Sequence, residues 1–251
     1  MSEIVEHPEY NNSDNPYPSF GKRYCGERGV ISLTSWKMRI HTVAKTLYSL
    51  YTMCPGFHIV LVLSEEEFPL MEKELPENLM LFVENELIEI LWIYPNWKSF
   101  KKVLPTMDKY RDVPVISADD DCIYTCNYAQ ELYDKWTSFN KQKYVIGMCK
   151  IGNNGFVNVP NGFASLYSPN TLNINDLIKI INILLSKNIS ADDSLYGFYI
   201  DKNNIPLVHI KHKIKDVGYF HDDNNPISNF STIIGKSAAI IINDIINHKV
   251  L

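Results

Sequence analysis

The stretch VPVISADDDCIY, Val113 to Tyr124, runs an apolar segment into three consecutive aspartates. Val113, Val115 and Ile116 around one proline have the composition of a short buried strand. Three adjacent carboxylates repel one another, so the cluster needs either full solvation or a cation. If extended backbone persists through it, alternate side chains share a face, and Asp119 and Asp121 point one way with Asp120 on the other side. Two carboxylates held together in this way suit a hard divalent ion, Mg²⁺ or Mn²⁺, which keeps open positions for phosphate oxygens. The plainer alternative is a solvated acidic turn at a strand end.

Upstream of this segment the chain alternates between strand and helix patterns. GVISLTSW (29–36) reads as a buried strand ending in small polar residues. In MRIHTVAKTLYSLYTM, Ile40, Val43, Leu47, Leu50 and Tyr51 fall at helical spacing. Pro55-Gly56 breaks that helix, and FHIVLVLS (57–64) forms a second strand. IEILWIY (88–94) gives a third, followed by a short helix in SFKKVLPTMDKY. This order predicts an α/β domain with a parallel sheet. In such sheets ligands gather beyond the carboxyl ends of the strands. Thr34 and Ser35, Glu65, and Asp119 to Asp121 all fall there.

The second half contains a strand pattern in GFASLYS (162–168), entered through GNNGFVNVPNG. An amphipathic helix is predicted in LNINDLIKIINILLSK, from polar positions three or four apart. ISADDSLYGFYI follows, then a strand in IPLVHIKHKI, a polar loop in GYFHDDNNPISN, and a closing helix in the tail.

Composition narrows the classes of function. The chain has 251 residues, 45% apolar and 21% charged, enough for a sizeable core. A net charge of -5 with no basic block argues against nucleic acid as a partner. The first 28 residues lack the basic and apolar regions of a secretory signal and read as a flexible arm. No apolar run reaches the ~20 residues of a membrane span. Five cysteines, Cys25, Cys54, Cys122, Cys126 and Cys149, without paired CxxC motifs, read as thiols in a reducing cytoplasm. A metal pair at Cys122 and Cys126, spaced for one helix face, is the minority reading.

The pieces SLTSWKMRIHTVAKTLYSL, IVLVLSEEEFPLMEKELPENL, WKSFKKVLPTM, VISADDDCIY, NGFASLYSP and ADDSLY occur in that order across roughly residues 29–200. In this ordered set the chain resembles nucleotide-sugar-dependent glycosyltransferases of the GT-A fold, in the family-2-like group, of the kind encoded in bacterial polysaccharide clusters. The resemblance implies a GT-A-like (Rossmann-like) α/β fold with a central, mostly parallel sheet flanked by helices. It further implies one domain over 29–251, with a nucleotide-sugar half (29–126) and an acceptor half (127–251).

Carried onto this sequence, Asp119 and Asp121 match the two ends of a DxD motif. The family implies that Asp121 ligates the metal while Asp119 and Asp120 contact the donor's ribose or sugar. Thr34 and Ser35 sit where the donor pocket begins, and Glu65 where a carboxylate approaches the nucleobase. Lys98, Ser99 and Lys102 match a segment lining the nucleotide cleft, although a solvated helix face reads equally well. The family also supplies a late metal ligand, often histidine. His209, His212 and His221 are the candidates, with His221 beside Asp222 and Asp223 preferred.

Breaking a sugar–phosphate bond leaves growing negative charge on the nucleoside diphosphate, which a metal neutralises where it develops. The attacking hydroxyl needs a positioned carboxylate as base. ADD before SLY matches the family's base motif, with Asp193 as the base and Asp192 orienting the segment or binding the acceptor; helix capping by Ser190, Asp192 or Asp193 is the alternative. The expectation is a metal-dependent transferase moving a sugar from an NDP-sugar, first of all a UDP-sugar, to a glycan or lipid-linked acceptor in the cytoplasm. Peripheral membrane association stays open. A metal-dependent nucleotidyltransferase or phosphohydrolase, and a non-catalytic sugar-nucleotide-binding relative, are the rival readings.

Overall fold

The computed structural model describes residues 28–150, 160, 163–212, 217–219 and 240–246. The expected N-terminal arm, the GNNGFVNVPNG entry, most of the 218–229 loop with His221, and most of the tail lie largely outside them.

The first four sheet strands are β1 (Val30–Thr34), β2 (His58–Ser64), β3 (Glu89–Ile93) and β4 (Val115–Ser117). All four lie parallel, in the order β3-β2-β1-β4. Three more strands extend this sheet: β6 (Val145–Lys150), β7 (Ser165–Tyr167) and β8 (Leu207–His212). The full order is β3-β2-β1-β4-β7-β6-β8, with β7 antiparallel to both β4 and β6. A mostly parallel sheet was therefore the right expectation, with β7 as the reversed member. A two-stranded ribbon pairs β5 (Cys122–Tyr124) with β9 (Val217–Tyr219). Gly218 and Tyr219, read from sequence as loop, belong to that ribbon.

Helices cover both faces, and strand alternation sorts the core into two layers. Ile31, Leu33, Ile59, Leu61, Leu63 and Ile116 face one side. There they meet α1 (Val43–Met53), α2 (Glu77–Glu84) and α4 (Tyr128–Ser138). Val115 and Tyr167 face the other side, toward α3 (Leu104–Lys109), α5 (Ile174–Ser186) and α6 (Asp192–Lys202). Residues 240–246 are helical, and Ile242, Ile245 and Ile246 join that second layer. Between β3 and α3 lies a 3₁₀ segment, Lys98–Lys102, bonded to β1 through the Ser32 hydroxyl and the Lys102 carbonyl. Among the described residues, no helix is long and apolar enough to cross a membrane.

Candidate active site

β4 stops at Ser117, so the three aspartates occupy the turn into β5 instead of prolonging the strand. Their separation nonetheless follows the alternation expected of them. Asp120 is 3% exposed and turned inward, while Asp119 and Asp121 are half-buried on the open side.

The turn is built to hold its shape. Thr46 of α1 shares its hydroxyl between the carbonyls of Asp120 and Cys122, both at 2.9 Å. The backbone N–H of Asp119 donates to the Tyr124 hydroxyl (3.0 Å), which donates in turn to the Phe163 carbonyl (2.8 Å). Tyr128 stacks on Tyr124 at 4.6 Å and donates to the Ser117 carbonyl. With its backbone fixed by three side chains, the turn presents its carboxylates with little freedom to lose on binding.

Two cations serve the three aspartates. Arg39, just before α1, spans the pair: one guanidinium nitrogen lies 2.9 Å from Asp120 and another 2.7 Å from Asp121. The Ser35 hydroxyl donates to the other Asp120 oxygen at 2.6 Å. Burial pushes the Asp120 carboxyl up to about 6, against the opposing pull of Arg39 and Ser35. Lys102 is 8% exposed and reaches Asp119 at 2.5 Å and Asp192 at 3.3 Å. Burial by itself would lower the Lys102 pKa, but Asp119, Asp192 and Asp193 outweigh it and hold the ammonium well above its usual value.

Asp192 and Asp193 form the first turn of α6, where negative charge is favourable against the helix dipole. The N-cap is Ala191, with no side-chain cap bond. None of Ser190, Asp192 and Asp193 occupies the N-cap position itself.

The other expected residues are distributed as follows. Thr34 donates its hydroxyl to the Val62 carbonyl of β2 (2.7 Å). Glu65 is exposed just beyond β2. Lys98 is exposed; Ser99 donates to the Ser190 carbonyl at 3.0 Å. His209 is half-buried on β8, beside Gly147 of β6. His212 closes that strand, and His221 lies outside the described residues.

Sequence reasoning passed over Arg39 and the buried Lys101, which pairs with Glu67 (2.9 Å) and Asn96 (3.2 Å). Arg39 is 82 residues from Asp121, and no local pattern marks such a partner.

The donor set fits a hard divalent cation. Carboxylate oxygens of Asp119 and Asp121 and the Cys122 sulfur lie within 4.8 Å of one another. Burial, reinforced by the neighbouring aspartates, pushes the Cys122 thiol up. Five carboxylates, Asp119, Asp120, Asp121, Asp192 and Asp193, meet two cations in this cluster, Arg39 and Lys102. Cys54, Cys122 and Cys126 are thiols and not disulfides.

No family profile and no curated protein matches the sequence. Solved structures do share its fold. Glucosyl-3-phosphoglycerate synthase from Mycobacterium tuberculosis, in complex with Mn²⁺, UDP-glucose and phosphoglyceric acid, superposes at TM-score 0.50 and 10% identity, over 87% of this chain and 79% of that one. A mannosyltransferase from Pyrobaculum calidifontis, in complex with GDP-mannose and Mn²⁺, gives 0.48 and 10%, over 75% and 55%. 4-Diphosphocytidyl-2C-methyl-D-erythritol synthase from Anaerococcus prevotii gives 0.46 and 10%, over 88% and 96%. The fold is GT-A-like, a mostly parallel sheet flanked by helices.

Proposed function

We propose that this protein is a metal-dependent glycosyltransferase, moving a sugar from an NDP-sugar, first of all a UDP-sugar, to a hydroxyl of a glycan or lipid-linked acceptor in the cytoplasm. The observation that carries the reading is the meeting of two acidic segments, the Asp119–Asp121 turn and the start of α6, on the one ammonium of Lys102.

Asp121 and Asp119 would hold Mn²⁺ or Mg²⁺, with His221 as the proposed late ligand. When bound, the ion neutralises charge on the leaving nucleoside diphosphate. Arg39 fixes the direction of Asp121, and Asp120 anchors Arg39 from below. The nucleotide would lie over the ends of β1 and β2, near Thr34, Ser35 and Glu65, with Lys98 and Ser99 on its flank. Residues 29–126 thus supply the donor side and 127–251 the acceptor side. Asp193 is the proposed base for the acceptor hydroxyl. Asp192, drawn onto Lys102, keeps the segment in place. A carboxylate serves as base only if held near the hydroxyl it deprotonates, which the packed first turn of α6 favours.

The test is a donor screen. The protein is incubated with UDP-glucose, UDP-galactose, UDP-N-acetylglucosamine and GDP-mannose, each with Mn²⁺, and nucleoside diphosphate release is measured. Slow release from one donor, abolished by EDTA, is expected. Pyrophosphate release from CTP or UTP, with every NDP-sugar left intact, would move the protein to the nucleotidyltransferases that share its fold.

A further inference from the structure

Lys102 is bound from both sides before its ammonium is considered. Its carbonyl accepts from the Ser32 hydroxyl of β1 at 2.5 Å, and Ser32 also meets the Thr106 hydroxyl at 2.6 Å. Two residues earlier, the Phe100 carbonyl accepts from the Tyr196 hydroxyl of α6 at 3.0 Å. Ser99 ties the same segment to Ser190, just ahead of α6. Residues 98–102 therefore strap the start of α6 to the centre of the sheet, and the backbone that carries Lys102 is set independently of its charge.

The ammonium then sits between carboxylates from two distant parts of the chain, 2.5 Å from Asp119 and 3.3 Å from Asp192. Both are partly screened from water, with 29% and 14% of their side chains exposed. Two carboxylates gathered on one ammonium repel each other, and the cation between them converts that repulsion into attraction. Asp119 is also one of the two carboxylates whose geometry fits a divalent ion. An ion there competes with Lys102 for the same oxygens.

Resting on the glycosyltransferase reading, we propose that Lys102 is a positioning residue that couples the two acidic segments. It holds Asp119 and Asp192 together without the metal, and releases Asp119 to the metal while keeping Asp192, and with it the α6 turn, in place. Its work is done through Asp192 and Asp119, not by contact with the reacting atoms.

The test measures Mn²⁺ binding to the substrate-free protein by titration calorimetry, in native protein and in Lys102→Met. Methionine keeps the length of the side chain and removes its charge, and the Ser32, Ser99 and Tyr196 bonds remain to hold the backbone. Loss of a competing cation should tighten Mn²⁺ binding by about tenfold, while turnover of the donor falls. Lys102→Arg should restore native metal affinity. Lys102→Met with Asp192→Asn should lose no more turnover than the worse single variant, because both remove one coupling. A purely structural lysine gives the reverse pattern: Mn²⁺ affinity unchanged or weaker in Lys102→Met, and additive losses in the double variant. Either result overturns the proposal while leaving the transferase reading intact. Native protein that binds no Mn²⁺ overturns both. If Lys102→Met does not fold, Lys102→Gln is read against the same two outcomes.

Discussion

At Asp120 the surrounding protein takes the place of water: Ser35 and Arg39 satisfy the carboxylate, and burial lifts its pKa to about 6. Removing it leaves the Arg39 charge with one partner fewer in a part-buried site. Asp120→Ala should therefore cost about 3 kcal/mol of stability in urea unfolding. Asp121 is more open, and Asp121→Asn should unfold at nearly the native midpoint yet lose metal-dependent UDP binding. If the two variants proved equally stable, the division of labour between these neighbours would be wrong. The aspartate cluster was legible in the sequence because its three members are adjacent. Arg39 and the role of Lys102 were not, since a cation's partner is chosen by the folded chain and not by local spacing. Lys102 read as an ordinary cleft or surface lysine, and only its burial between Asp119 and Asp192 reveals its task.

Elements were more legible than contacts. Buried parallel strands betray themselves as continuous apolar runs, which is why β1 and β2 fall where the sequence puts them; β3, half-buried at the sheet edge, is nearly as apolar and was legible too. The reversed β7 is three residues long, and its direction depends on which neighbours it pairs with, information that no short run carries. Entry to β1 sets a sharp steric limit. A Cβ on Gly29 would come within 2.8 Å of the Pro114 carbonyl oxygen, where the backbone beside β4 cannot yield cheaply. Gly29→Ala should destabilise by about 2 kcal/mol, read as a lowered Tm with donor binding retained at low temperature. On β3, Glu89 gathers His58 of β2 (3.1 Å) with Lys109 (2.8 Å) and Tyr110 (2.5 Å) at the end of α3. Burial would raise its pKa, but these three hydrogen bonds prevail and hold it at about 2. Because the folded-state value lies below the ordinary 4.5, this stabilisation is complete above about pH 4.5 and is lost as pH falls toward 2. Glu89→Gln should be less stable than native protein at pH 7, with the gap closing across that window in urea titrations. A gap independent of pH would count against the network.

Across the whole molecule, two helical layers clamp one sheet, and the site forms where segments from both halves of the chain meet above its carboxyl edge. The first layer packs α1 and α4 against the strands, and Leu47 is fully buried within it. The second brings α6 up to the 98–102 segment through Tyr196, whose hydroxyl bonds the Phe100 carbonyl. That convergence makes Asp193 a candidate base. The measurement that bears on it most directly compares Asp193→Asn with native protein in two quantities, turnover of the donor found by screening and the Kd for UDP with Mn²⁺. Proton removal matters only on the way to the transition state, so turnover should fall by about 10²-fold or more while the Kd stays within about twofold. Near-native turnover in Asp193→Asn would contradict the account and place the base outside the start of α6.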